Sequence, residues 1–310
     1  SSLVFAAGLA MLGAAPNLAI YVLAWLIIGT GMGMGLYEAA FASLTAIYGK
    51  EARSSITGIT LLAGFASTVC WPISALLDAE WGWRTTCFVW AVAHLVIGLP
   101  INRFMIPKEL GEHAKSAVAS PTTALPDESI FSRQMVLLAF AFAVTWITST
   151  AMAAHLPRIL EAAGATKTVA IAAAALVGPA QVAARVLEYS ILQRFHPLLS
   201  ARMASITHPF GAVAVLVFGA PAAYLFTILH GAGNGVMTIA KGTLPLFIFG
   251  PAGYGRRQGY LVAPARFGQA AAPFVFAILL EQYAQYVLLF SSGLCVAGFI
   301  AMMMLRANDA

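Results

Sequence analysis

The chain has 310 residues, of which 60% are hydrophobic and only 9% are charged. Because a soluble domain carries about 25% charged residues, this composition excludes a water-soluble globular protein and predicts an integral membrane protein. The formal net charge of +5 comes from basic residues spread over the turns between apolar runs, so we expect the lipid bilayer as the surroundings and no nucleic-acid partner.

Ten apolar segments follow one another along the chain, most of them long enough to cross a bilayer as helices. They are residues 2–15, 18–48, 55–77, 85–101, 134–156, 168–193, 203–220, 222–249, 256–280 and 286–305. The connection 102–133 is the only long polar one, so we interpret it as a cytoplasmic linker. It separates an N-terminal bundle of four helices, residues 1–101, from a C-terminal bundle of six, residues 134–310. The expected fold class is an all-α polytopic membrane protein.

Lysine and arginine fall mainly on one side of the predicted membrane. Eleven lie in one set of loops and ends, whereas only Arg84, Arg158 and Lys167 lie in the other set. The positive-inside rule makes the first set cytoplasmic. We therefore expect a multi-pass protein of the cytoplasmic (inner) membrane, with both ends of the full-length protein in the cytoplasm, that works as a monomer.

A long segment of the sequence occurs twice, about 200 residues apart, in the same order, which makes a parallel internal repeat. The corresponding residues are Gly31 and Gly231, Gly33 and Gly233, Gly35 and Gly235, Gly58 and Gly259, and Pro72 and Pro273. A basic turn lies inside each copy, with Arg53 in the first and Arg257 in the second. Segments 134–156 and 168–193 have no upstream counterpart, so we expect two helices of a twelve-helix parent to precede residue 1.

Particular strings are similar to motifs of the major facilitator superfamily. Gly82-Trp83-Arg84 resembles the turn between its fifth and sixth helices. The string ARVLE at 184–188, followed by Arg194, resembles its cytoplasmic G-R-x-x-D-R gating motif, with Ala184 in place of Gly, Glu188 in place of Asp and Tyr189 in place of the second Arg. The parallel repeat agrees with this resemblance, which implies a two-bundle fold and a secondary active transporter that works by alternating access.

Longer strings resemble one bacterial branch of that superfamily, which includes permeases that export trivalent arsenicals. These strings are GLYEAAF, ITGITLLAGFASTVCWP, GPAQVAARVLE and GNGVMTIAKGTLPL. The branch resemblance implies efflux of a small solute.

Three charged residues lie deep inside apolar segments, where a charge costs about 2.5–3.5 kcal/mol on insertion scales. Glu38, Lys241 and Arg266 each lie about 12–15 Å from the cytoplasmic end of their segment, so we expect them to meet near the midplane, where secondary transporters hold their solute. We predict that Glu38 pairs with one base while the other base holds an anionic or strongly polar solute. Tyr37 and Asn234 are predicted to complete the substrate-binding site. The alternative is a purely structural salt bridge between the halves.

Near the cytoplasmic side, Arg185 and Glu188 lie three residues apart on one helical face, and together with Arg194 they are predicted to form a gate. Other titratable residues lie inside helices. His94, His208 and His230 are either a proton relay or hydrogen-bonded packing residues.

Signatures of enzymes are missing from the sequence. It contains no GxSxG or HExxH motif and no nucleotide loop, and its three cysteines form no CxxC pattern. We therefore expect neither enzyme activity nor a metal or cofactor, and we expect a solute or proton gradient as the energy source. The solute stays open between a small organic anion and a trivalent arsenical, and a non-transporting receptor or scaffold on the same fold is the alternative to transport.

Overall fold

The computed structural model describes residues 1–105 and 132–305, and every regular element in those ranges is helical. Within them the chain divides into two compact units, residues 1–49 with 65–105 and residues 50–64 with 132–305. Six helical stretches of the described residues are, by length and composition, long and apolar enough to cross a membrane. The predicted all-α polytopic architecture is confirmed.

The first unit is built from α-helices, most of them strongly apolar. They are α1 (Ser2–Ala14), α2 (Leu18–Gly35), α3 (Tyr37–Tyr48), the part of α4 (Ala52–Ala93) that follows residue 64, and α5 (Leu99–Phe104), with a π-helical turn at His94–Gly98 between the last two. The predicted segment 18–48 forms two helices, because the backbone leaves the helical region at Leu36, with φ −93° and ψ −162°. This break directly follows a glycine-rich run, which has low helix propensity.

The turn Gly82-Trp83-Arg84 joins α4 to the end of α1. Gly82 has a φ of 78°, a left-handed value that glycine adopts without steric cost, and it divides α4 into two arms. Nη1 of Arg84 donates to the carbonyl oxygens of Gly13 (2.9 Å) and Ala15 (2.8 Å). Carbonyls at a helix C-terminus have no donor within the helix, so the arginine supplies one. Its Cζ lies 4.6 Å from the ring centroid of Trp83.

The second unit contains residues 50–64 and the remaining long helices. These are α6 (Arg133–Ala162), α7 (Lys167–Ala175), α8 (Val177–Ser190), α9 (Pro197–Phe218), α10 (Ala223–Phe249), α11 (Tyr254–Tyr283) and α12 (Val287–Met303). Ser132 and Thr166 begin α6 and α7 as N-caps, with their side-chain oxygens accepting from backbone amides. A turn at Leu176 separates α7 from α8, so the predicted segment 168–193 is also two helices.

All ten predicted apolar segments are helical in the described residues. Within the predicted linker 102–133, residues 106–131 lie outside the described residues. The linker and the bundle boundaries drawn from it therefore stay predictions.

Glycines of the second repeat copy let α10 approach α8 closely. A Cβ atom built on Gly231 would lie 2.6 Å from the carbonyl oxygen of Val177, and one on Gly235 would lie 2.5 Å from that of Gln181. Small residues allow such close backbone approach between membrane helices. In the first copy, a Cβ on the counterparts Gly31 and Gly35 would meet side chains, of Phe5 at 3.3 Å and of Ser1 at 2.6 Å, and not a helix backbone, while one on Gly33 would meet no atom within 4 Å. The repeated glycines therefore do not play the same packing role in both copies.

We predict that Gly235→Ala destabilises the protein by about 1–3 kcal/mol, because an added methyl group in a close-packed contact forces a backbone shift. Thermal unfolding of the purified protein in nanodiscs measures this effect. The matched control is Gly259→Ala in α11, where a Cβ would meet no atom within 4 Å. Equal melting temperatures for the two variants would contradict the close-approach account.

Candidate functional site

Lys241 lies in the interior of the second unit. It stands in α10 and only 3% of it is exposed. Its ammonium nitrogen Nζ lies 5.3 Å from the ring centroid of Trp146, which belongs to α6. A cation over an indole face is attracted by the negative face of the ring, and this attraction is strongest where water is excluded. Lys241, which the sequence places deep within an apolar segment, is thus enclosed by protein, and its role in a solute site stays a prediction.

The backbone around Lys241 is fixed by two polar side chains of α11. Pro245 has no amide hydrogen, so it leaves the carbonyl four residues earlier, that of Lys241, without its helical donor. Gln258 Nε2 donates to this carbonyl at 3.0 Å, and the hydroxyl of Tyr254 donates to the carbonyl of Gly242 at 2.7 Å. Gln258 Nε2 also lies 3.0 Å from the Tyr254 hydroxyl. The proline kink thus ties α10 to α11 at the position of the buried lysine.

Arg266 approaches the same face of α6 from α11. It is exposed, and its Nη1 donates to Oε1 of Gln269 at 3.4 Å. Gln269 Nε2 in turn donates to the hydroxyl of Thr150 at 3.0 Å. Thr150 and Trp146 are four residues apart, which places them on one face of α6. The two bases predicted from the sequence are thereby both linked to that face.

Glu38 and Tyr37 lie in the first unit, directly after the break at Leu36. Glu38 is in the first turn of α3, where the positive end of the helix dipole favours a carboxylate. The ring of Tyr37 stacks on the fully buried Phe41, with centroids 5.4 Å apart. The pairing of Glu38 with a base from the other half stays a prediction.

The predicted gate residues Arg185 and Glu188 are both buried in α8, 6% and 3% exposed. Nη1 of Arg185 donates to the carbonyl of Thr60 at 3.3 Å, and its Nη2 lies 3.5 Å from Oε1 of Gln181. Oε1 of Glu188 lies 3.8 Å from Nη2 of Arg53. Sequence reasoning treated Arg53 only as part of a basic cytoplasmic turn, so the ion pair adds a residue to the predicted set.

Arg53 also donates to the carbonyl of Phe195 at 3.2 Å, just beyond the short 3₁₀ turn Leu192–Arg194. The third predicted gate residue, Arg194, is exposed in that turn. A signal for Arg53 was present in the repeat, since the basic turn recurs in the second copy. There Arg257 Nη1 donates to the carbonyls of Phe249 (3.1 Å) and Gly250 (3.3 Å) at the end of α10. Both copies thus use an arginine to bind carbonyls next to a helix end.

The residues that the structure describes form no evident metal site. No group of three or more His, Cys, Asp or Glu side chains lies together among them as metal ligands would. The polar groups described above are cations, amides and hydroxyls, which bind anions or polar organic groups by hydrogen bonds.

Solved structures with the same arrangement of helices are known. The proton:xylose symporter XylE bound to 6-bromo-6-deoxy-D-glucose is similar with a TM-score of 0.73 at 13% sequence identity, over 97% of this chain and 78% of that chain. The E. coli fucose:proton symporter FucP has a TM-score of 0.71 at 16% identity, over 97% and 82%. The human organic anion transporter MFSD10 (TETRAN) has 0.69 at 16% identity, over 97% and 75%. No protein-family model and no curated protein matches the sequence.

The helices and these likenesses define an all-α polytopic membrane protein. Its fold is that of the major facilitator superfamily, which confirms the fold indicated by the GWR turn and the parallel repeat. At these levels of identity the likeness concerns the fold.

We predict that Gln258→Leu destabilises the protein by about 1–3 kcal/mol, because it leaves the carbonyl of Lys241 buried without a donor. Thermal unfolding in nanodiscs is the measurement. Gln282→Leu, at an exposed position near the end of the same helix, is the matched control and should leave the melting temperature nearly unchanged. A melting temperature of Gln258→Leu equal to that of the control would show that the carbonyl finds another donor.

Proposed function

We propose that the chain is a secondary active transporter, not an enzyme, that moves a small solute across the cytoplasmic membrane by alternating access, in the direction of efflux. The observation that carries this proposal is the buried Lys241, whose ammonium group lies against the face of α6 to which the exposed Arg266 is linked through Gln269. Buried charge in a membrane helix is costly, and a solute-binding role accounts for it. The solved structures of the same fold support this class, since those proteins are two proton symporters and an organic anion transporter.

The solute that fits these groups best is a small organic anion. A guanidinium and an ammonium both bind carboxylates through charge-assisted hydrogen bonds, and one similar structure is named as an organic anion transporter. Asn234, on the same helix as Lys241, and Tyr37 and Glu38 from the first unit are proposed to complete the site. Glu38 would then pair with whichever base the solute leaves.

A trivalent arsenical is the competing solute. Soft ions favour thiolate ligands, and the three cysteines are all free. Cys295 is buried in α12, with its sulfur 3.7 Å from the hydroxyl of Thr148, whereas Cys70 and Cys87 belong to the first unit. A site built from bases therefore favours the anion over the arsenical.

We predict that Lys241→Met lowers the flux of a transported organic anion about tenfold or more, because a hydrogen bond to a charged group contributes about 1.5–3 kcal/mol. Arg266→Gln should act in the same direction. The measurement is uptake and efflux in sealed proteoliposomes, with a panel of mono- and dicarboxylates and with arsenite, in the presence and absence of a proton gradient.

The controls are Lys167→Met and Arg256→Gln, which remove exposed bases from α7 and α11. Both controls should transport like the wild type. If arsenite moves and the anions do not, the anion proposal is wrong. If a member of the panel binds but none moves, the receptor alternative replaces transport. Loss of folded protein together with flux in Lys241→Met would instead favour a structural role for its charge.

We further propose that Arg53, Arg185 and Glu188 stabilise one conformation of the transport cycle on the cytoplasmic side, with the exposed Arg194 at its edge. The pair of Arg53 and Glu188 joins the first turns of α4 to α8. Glu188 is almost fully buried, with Oε2 lacking a hydrogen-bond partner, and Ser200 lies near the carboxylate without reaching hydrogen-bond geometry. Breaking the pair therefore leaves a buried carboxylate with little compensation.

A double-mutant cycle on Arg53→Gln and Glu188→Gln should give a coupling free energy of about 1 kcal/mol, within the 0.5–3 kcal/mol range of contacting residues. Both thermal unfolding and the transport rate are measured for the two single variants and the double variant. A cycle on Arg194→Gln and Glu188→Gln is the comparison and should be close to additive. Additivity of the first cycle would refute the pair as a conformational lock.

A further inference from the structure

A small polar cavity lies inside the second unit, among α6, α9, α10 and α12. Its volume is about 20 Å³, which is enough for one water molecule. Residues that carry polar side chains into its lining include Thr145, Ser205, Thr207, His208, His230 and Asn234. Asn234 is the one residue of the proposed solute site and gate that also lines this cavity.

Two histidines beside the cavity form a hydrogen-bonded chain with a fixed direction. The hydroxyl of Ser291 donates to the carbonyl of Leu288 at 3.1 Å, so its oxygen accepts from Nε2–H of His208 at 2.9 Å. Nδ1 of His208 is then the acceptor in the 2.9 Å contact with Nδ1 of His230, and His230 carries its proton on Nδ1. The nitrogen left over at the end of this chain is Nε2 of His230, which is an acceptor.

Several other polar groups around the cavity present lone pairs to it. The hydroxyls of Thr145, Ser205 and Thr207 donate to backbone carbonyls of their own helices, at 2.8–2.9 Å, so only their lone pairs remain. Oδ1 of Asn234 is buried and has no hydrogen-bond partner. Thr148 and Ser149 also line the cavity, and their hydroxyls can donate as well as accept, so this lining favours a small polar occupant, namely a water or a hydronium ion.

Few titratable groups face this chain. His208 comes from α9, and the Cys295 thiol comes from α12 and donates to Thr148 of α6. α8 packs against α10 here through the backbone of Val177 and the methyl group of Ala180 at Gly231. No carboxylate, lysine or arginine lines the cavity among the residues that the structure describes. A proton bound here would therefore be stabilised by hydrogen bonds to the lining and not by a carboxylate, against the desolvation cost of a buried charge.

We propose that this cavity is the proton-binding site of the transporter, with Nε2 of His230 as the proton acceptor and a cavity water held by Asn234 as the carrier. A hydronium ion in the cavity transfers a proton to Nε2 of His230, which breaks an O–H bond, forms an N–H bond and leaves a neutral water. The pair takes up one proton only, because the 2.9 Å contact between the two Nδ1 atoms holds a single hydrogen.

The inference rests on the proposed transport function and adds a coupling site to it. Asn234 connects the two, since its Oδ1 is enclosed at the cavity while the residue as a whole is only partly buried. In the solute site proposed above the same residue also contacts the solute, so one side chain of α10 would belong to both proposed sites.

The test compares two modes of transport in proteoliposomes, with a solute that the wild type carries. We expect His230→Gln to lose the accumulation that a proton gradient drives, while exchange of labelled for unlabelled solute at equal pH continues. His155→Gln is the matched control, because His155 is in the same unit and binds the carbonyl of Pro273, and it should keep both modes. Gradient-driven accumulation by His230→Gln, or replacement of the proton gradient by a sodium gradient in the wild type, would overturn the proposal.

A second measurement does not depend on transport, so failure of the proton-binding site can be told apart from failure of the transport function. Nitrogen NMR of histidine-labelled protein in nanodiscs separates protonated from unprotonated ring nitrogens. We expect neutral rings with the proton on Nε2 of His208 and on Nδ1 of His230. A proton on Nε2 of His230 in the neutral state would refute the direction of the chain and with it the site. If no solute moves at all, the transport function fails, whereas the NMR result still decides whether the histidines form the acceptor.

Discussion

Polar groups inside an apolar helical unit must be given partners by the protein, because lipid supplies none. This requirement accounts for most of the side-chain hydrogen bonds that organise the chain. Arg84 binds the carbonyls that end α1, and Arg257 does the same for α10. Gln258 and Tyr254 bind the carbonyls around Pro245. In each case the helix has an end or a kink, and one or two long side chains from another helix satisfy the carbonyls exposed there.

The same requirement distinguishes the arginines that bind backbone carbonyls from the buried Lys241. Arg84 and Arg257 are used by backbone carbonyls within their own unit. Lys241 differs, since an aromatic ring faces its ammonium group. The negative face of the ring attracts the ammonium group, so the lysine side chain is held inside the unit and not at a helix end. The charge held there is the group that the proposed anionic solute would recognise.

The apolar runs were sufficient to predict where helices occur. The charged residues within them identified Lys241, Arg185 and Glu188, which are buried, but also Arg266, which is exposed. The break at Leu36 was missed, because the glycines before it also fit a closely packed continuous helix. Arg53 was missed because a basic turn indicates topology, and its partner Glu188 is brought to it only by the fold. The His208–His230 chain depends on how two helices are rotated about their axes, which the pattern of one helix does not specify.

The two ends of Lys241 are held by different helices: its ammonium group faces Trp146 of α6, and its carbonyl is bound by Gln258 of α11. A rotation of α10 relative to either neighbour would break one of these contacts. These two contacts therefore tie α6, α10 and α11 together at the lysine, so a single residue links the packing of all three helices.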